Sequence, residues 1–245
     1  MEKHTQRVIS QERGAQARQQ LINAALQVFS EYGINGATTR EIAHRAEQNI
    51  AAITYYFRSK EGLYLAVAQS IADYIQQMLA PLAQDIDQYW QRPAAEQSAS
   101  QCLVFIKRGL LALGAIMLEP QTLSLSKIMT REQLSPTAAY PLIHQQVLAP
   151  MHQRFCRLIA NYTGMTEQGH QVVVHAHALI GEVLSFRIAR ETILRQANWQ
   201  QIGAEETKQI TDVLVEHIDI LMHGLRQRYR GSAPLTSLEK QQDAL

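Results

Sequence analysis

The densest pattern of apolar and polar positions lies in residues 38–57, TTREIAHRAEQNIAAITYYF. It predicts two short helices joined by a tight turn. Thr38-Thr39-Arg40-Glu41 is a Thr-x-x-Glu capping box, so the first helix starts there. Its inward residues are Ile42, Ala43 and Ala46. The turn falls at Glu47-Gln48, and Asn49 is the N-cap of the second helix. On that helix Ile50, Ile53 and Phe57 recur at helical spacing and predict one apolar face. The opposite face carries Ala51, Ala52 and Tyr55, flanked by Thr54 and Tyr56, and has no carboxylate. Small residues let a helix approach DNA closely, and hydroxyls reach phosphates or base edges. The pair therefore reads as a helix-turn-helix. Paired short helices and a Tyr-Tyr step also occur as ordinary packing, and spacing alone does not separate the two.

The same periodicity predicts helices along the rest of the chain. Residues 15–32 form one through Leu21, Ile22, Ala25, Val28, Phe29 and Tyr32, with Phe29 and Tyr32 read as core and Gly33 as its left-handed stop. Ser59 caps the next, which exposes Lys60 in its first turn and runs on past Pro81, an expected kink. Further helices are predicted over about 94–118 and 123–134. Another starts at an N-cap Ser135 with Pro136 and runs to about residue 162, kinked at Pro150. Two more are predicted over 166–196 and 204–229. No alternating strand pattern, repeat or low-complexity run is present. The fold class is all-α. A three-helix helix-turn-helix domain at 15–75 is joined to a larger C-terminal helical domain at 76–230. Residues 1–14 are a polar arm, expected to be flexible and able to reach DNA, and 231–245 a tail expected to be disordered.

Residues 15–75 resemble the TetR family of bacterial transcriptional regulators. The resemblance rests on Phe29-Ser30-Glu31-Tyr32-Gly33, Thr38-Thr39, Ile42-Ala43, Ile53-Thr54-Tyr55-Tyr56-Phe57 and Ser59-Lys60-Glu61-Gly62-Leu63. The family often has Gly where this chain has Glu47 and Ala51, and Tyr where it has Thr54; those departures bear on the operator sequence. Beyond residue 75, TREQLSPTAAY at 130–140 and HAHALIGEVLSFR at 175–187 resemble the CecR subgroup. The resemblance implies a dimer that binds a double-stranded, near-palindromic DNA operator. It also implies a small-molecule effector in the second domain, and repression as the usual outcome. The implied DNA-facing set is Thr38, Thr39, Arg40, Asn49, Ile50, Ala51, Ala52, Thr54, Tyr55, Tyr56 and Lys60, with Lys60 on a phosphate.

Composition changes this picture little. The chain has 245 residues, 46% hydrophobic, and a net charge of +1. The first 60 residues hold eight Lys or Arg against five Asp or Glu, so the basic excess sits with the helix-turn-helix. Cys102 and Cys156 lack metal-ligand spacing and read as buried thiols. No signal core is seen and no stretch reads as long enough to span a bilayer, so a cytoplasmic protein without a membrane partner is expected. His175 and His177 point to different sides of a helix, and no zincin motif, phosphate loop or nucleophile elbow is present. No cofactor, metal or enzymatic activity is expected.

Two features of the second domain invite a role. Arg131, His144, His177, Glu182 and Arg187 interrupt apolar helices, either as an internal network or as groups that orient a largely apolar ligand; Arg131, His177 and Glu182 are the proposed ligand contacts. The small residues Ala178, Gly181 and Ser185 share a helix face, and Ile218, Leu221 and Leu225 lie on the last helix. These six are the expected dimer contacts, since the resemblance implies a four-helix interface. The competing readings are an architectural or adaptor DNA-binding protein without an effector, and a helical enzyme with an accessory N-terminal module.

Overall fold

A computed structural model describes residues 2–230, with side chains from residue 12 onward. Among the described residues there is no strand. The helices are α1 (Glu2–Gly36), α2 (Thr39–Arg45), α3 (Ile50–Phe57), α4 (Lys60–Trp90), α5 (Ala99–Leu118), α6 (Leu123–Leu134), α7 (Tyr140–Ile143), α8 (Ala149–Thr163), α9 (His170–Ile188), α10 (Arg190–Gln196) and α11 (Ala204–Arg230). The backbone of residues 2–14 is helical, where an arm is expected. The expected tail from residue 231 lies outside the described residues.

The chain forms two compact units. One holds residues up to Met78 together with Glu119–Ala149; the other holds Leu79–Leu118 and the chain from Pro150 onward. The first unit therefore contains α1 to α3, the first part of α4, α6 and α7. Its core is Leu21, Ala25, Val28, Phe29, Ile42, Ile53, Leu63 and Val67, all at most 2% exposed. Tyr32, expected in that core, is 56% exposed. Gly33 breaks the helix one residue later with φ 69° and ψ 173°, and α1 resumes to Gly36, which leaves Tyr32 on the outer side.

Residues 119–149 join this unit through long-range hydrogen bonds, the most buried of them at Glu132. The buried carboxylate of Glu132 accepts the Tyr64 hydroxyl at 2.7 Å and the Thr137 N–H and hydroxyl, each at 2.9 Å. Burial, and this carboxylate, push the Tyr64 hydroxyl's pKa upward. Ser135 is thus not an N-cap: its N–H closes α6 on Arg131 O at 2.8 Å. Thr137 is committed to Glu132, and helix resumes only at Tyr140. A five-residue π turn, His144–Leu148, then separates α7 from α8, just ahead of Pro150. Pro81, by contrast, lies within an uninterrupted α4.

In the second unit α5 is covered by α9 and α11. It is 20 residues long, and an 18-residue window of it has a mean hydropathy of 1.7, so it passes as a bilayer span by length and composition, against expectation. Half of that stretch is buried, as a helix with neighbours on more than one side requires. Gly109 of α5 lets the Phe155 ring in so closely that a Cβ would sit 2.7 Å from it. Lys107 on α5 pairs with Asp219 on α11 at 2.6 Å, and Arg154 on α8 grips Asp87 through two bonds at 3.1 and 2.7 Å. The Arg154 guanidinium holds the Asp87 carboxyl below its ordinary range. The single helix expected over 166–196 breaks at Ala189 (φ −100°, ψ 26°), and α9 and α10 meet at a 70° bend.

Candidate nucleic-acid interface

The start of each of α2 and α3 is set by a side chain that the sequence supplies. Thr38 Oγ1 accepts the Glu41 N–H at 3.2 Å and starts α2. The reciprocal half of the box is not used. The Glu41 carboxylate instead takes Arg45 Nε at 2.7 Å, and Arg45 also forks onto Glu31 of α1 at 3.1 and 3.0 Å. That fork ties α2 to α1 and draws the Glu31 carboxyl below its usual range. Glu47 makes the turn at φ 52°, and Asn49 Oδ1 caps α3 by accepting the Ala51 N–H at 2.8 Å. Gln48 reaches back to Gln20 of α1 at 2.9 Å.

Ile53 and Phe57 anchor α3 inward, with the Arg18 guanidinium 5.3 Å from the Phe57 ring centroid. Ile50 does not share that face; it is 49% exposed, one turn before Ile53 at the helix start. None of the expected DNA-facing residues is buried. Tyr55 is 80% exposed and packs edge-on against Tyr56, with ring centroids 4.8 Å apart. Ala51, Thr54 and Tyr55 are exposed together, and α3 carries no charge. The positive charge comes from its flanks: Arg40 before it, Arg58 and Lys60 after it.

Arg58 is the residue that the sequence reading missed. It is exposed, has φ 69°, and closes α3 through its N–H on Thr54 O at 3.0 Å. Its position between the aromatic helix and the Ser59 cap was the available signal. Lys60, expected to be exposed, is half-buried and donates from Nζ to Ala37 O at 3.1 Å. It thereby braces the chain just before Thr38. A lysine ammonium has three donors, so two remain for an outside acceptor.

The expected ligand contacts fall in different units. Arg131 belongs to the first unit, where Nη1 donates to Phe29 O at 2.7 Å and the guanidinium lies against Gly33. It walls an open groove of about 490 Å³ with Ser30, Glu31, Lys127 and Leu134; neither His177 nor Glu182 lines that groove. In the second unit Glu182 of α9 bonds His217 of α11, and the exposed His177 stacks on His152 at 5.7 Å. Glu182 is thus occupied by a partner on the neighbouring helix. Among the described residues no three His, Cys, Asp or Glu side chains could hold a metal ion.

The expected dimer contacts divide. Ala178, Gly181, Ser185 and Leu221 are exposed, whereas Ile218 (1%) and Leu225 (7%) are buried inside the unit. The outward apolar face of α9 is Val174, Ala178, Gly181, Ser185 and Ile188. That of α11 is Val213, Ile220, Leu221 and Gly224. Val174, Ile188 and Ile220 are each about two-thirds exposed.

Residues 21–67 match the family described as bacterial regulatory proteins, tetR family, and residues 101–225 match the C-terminal domain of the HTH-type transcriptional dual regulator CecR. The CecR protein of Shigella flexneri is 47% identical over 216 residues, covering 88% of this chain and 96% of that protein. The regulator RutR of Escherichia coli is 42% identical over 62 residues, covering 25% and 28%. The crystal structure of AibR in complex with isovaleryl coenzyme A and operator DNA covers 82% of this chain and 97% of its own, with a TM-score of 0.61 at 14% identity. The hemolysin II regulator HlyIIR covers 82% and 98%, with a TM-score of 0.54 at 16% identity. Those two likenesses concern the fold.

Proposed function

The chain belongs to the TetR family of bacterial regulatory proteins, with a CecR-type C-terminal domain, and from that premise we propose that it binds operator DNA as a homodimer under small-molecule control. It regulates transcription and is not an enzyme. The observation that carries the proposal is the uncharged, exposed face of α3 with Tyr55 at its centre, held by three side-chain caps. In the proposed complex α3 lies in the major groove. Thr38, Thr39 and Arg40 at the start of α2, and Lys60 at the start of α4, meet phosphates. Lys60 keeps its bond to Ala37 O and offers its other donors, so one side chain both braces the loop and touches DNA. Two copies place two α3 helices in half-sites on the order of 34 Å apart, or a multiple of it. Repression is the proposed outcome, and the effector a largely apolar molecule held by the CecR-type domain. It acts only through unequal affinity for the DNA-binding and released arrangements. The site of action is the cytoplasm.

The test uses a duplex selected from a random library by the wild-type chain. Tyr55→Ala is expected to weaken binding about tenfold or more, with an unchanged melting curve. Lys60→Ala should reduce the salt dependence of binding by about one counterion. Full affinity in the Tyr55→Ala protein would remove α3 from the interface.

A further inference from the structure

Two helical runs leave the first unit within a few residues of one contact. α4 does so after Met78, and the run entering α8 does so after Ala149. Just before those exits, Gln69 and Gln146 exchange side-chain amide bonds at 2.8 and 3.0 Å. Gln76 Nε2 donates to the backbone carbonyl of Gln146 at 2.8 Å. Gln69 is also held by Asp73 at 2.8 Å. Residues 69, 73 and 76 share one face of α4.

Proline explains why the Gln146 carbonyl lacks its usual α-helical partner. In a regular α-helix it would accept the N–H of residue 150. Pro150 has none, and its ring excludes that carbonyl. The chain widens instead into the π turn, where the Ala149 N–H bonds His144 O, five residues back. Single π turns are rare in helices and recur at functional sites. This one leaves the Gln146 carbonyl without the residue-150 N–H of a regular helix, and a side chain of α4 bonds it.

We propose that the π turn at residues 144–148 is a two-position clamp on α4. Closed, with Gln146 O on Gln76, it holds α4 and the junction at Ser59 from which α3 is displayed. Open, with that carbonyl on water, it frees α4. The clamp rests on the reading of the chain as a DNA-binding regulator. Gln76 is exposed, so its bond exchanges with water at little net cost, and a modest bias on either exiting helix moves the balance. The part-buried Gln69–Gln146 pair keeps the register, so the clamp closes again on the same carbonyl. No phosphate contact is involved.

Full-length Gln76→Leu, Pro150→Ala and the double variant test this by amide hydrogen exchange over residues 60–76 and by binding to the selected duplex at several salt concentrations. Gln76→Leu is expected to speed exchange there about tenfold and weaken duplex binding about fivefold, with the salt slope unchanged. Pro150→Ala supplies the missing N–H and draws Gln146 O back into its helix. It should also speed exchange over 60–76 while slowing it over 146–154. The double variant should match Pro150→Ala alone, since the carbonyl no longer needs Gln76. Unchanged exchange in both single variants, strictly additive effects or an altered salt slope would each overturn the clamp. If the wild-type chain retains no duplex, the regulator reading fails, and the exchange pattern still decides the clamp.

Discussion

At the scale of single residues, the turn of the helix-turn-helix holds a cost that the chain carries openly. Glu47 sits at φ 52°, a conformation that penalises a Cβ by about 1–2 kcal/mol. Glycine avoids that penalty but loses more chain entropy on folding. The expected net effect of Glu47→Gly is a gain of about 0.5–1 kcal/mol, or about 1–4 °C in melting temperature. Glu47 makes no capping bond, so α2 and α3 should keep their places. A melting point below wild type would show that the Glu47 side chain has a role of its own. Caps such as Thr38, Asn49 and Ser59 were legible because their partners lie two or three residues away. The partners of Arg131, Glu132 and Gln146 were not, since the groups they bond lie 102, 68 and 77 positions distant.

Among the elements, the junction of α3 and α4 is the least tolerant. Arg58 ends α3 in a left-handed conformation, and Ser59 Oγ accepts the Gly62 N–H at 3.1 Å. A Cβ on Gly62 would lie 2.1 Å from Phe57 O. That oxygen is backbone and cannot swing aside, so Gly62→Ala must displace the end of α3 or the start of α4. The change is expected to cost about 1–3 kcal/mol and to weaken duplex binding at temperatures where the protein remains folded. Binding and melting both at wild-type values would mean the junction is looser than its geometry implies. The Ser-Lys-x-Gly spelling made this junction legible. The break at Ala189 was not, because residues 185–193 contain neither proline nor glycine, and packing decides it. The late start at Tyr140 was hidden for a related reason: Ser-Pro reads as a helix opening, but Thr137 is claimed by the buried Glu132.

For the whole molecule, a linear division at residue 75 is what periodicity suggests. The compact units are instead interleaved, since residues 119–149 pack with the helix-turn-helix. Sequence spacing cannot show that, because the anchors are long-range. The same blindness mixed two stripes on α11. Ile218 and Leu225 look outward by heptad, yet both are core, and Ile218→Ala should therefore cost about 2–5 kcal/mol of fold stability. The face left over, with Val174, Ile188 and Ile220 exposed, is what a second copy would cover. Gly181 lies within it, and a Cβ there meets nothing within 4 Å. That position is exposed and opens into free space, so a leucine at 181 is expected to meet a second copy rather than its own subunit. Gly181→Leu is expected to keep wild-type helix content while weakening dimerisation about tenfold or more by sedimentation. Binding to a two-half-site duplex should fall with it, and binding to a single half-site should not. A wild-type chain that is monomeric at micromolar concentration, or a Gly181→Leu protein that dimerises as wild type does, would assign this face to some other use.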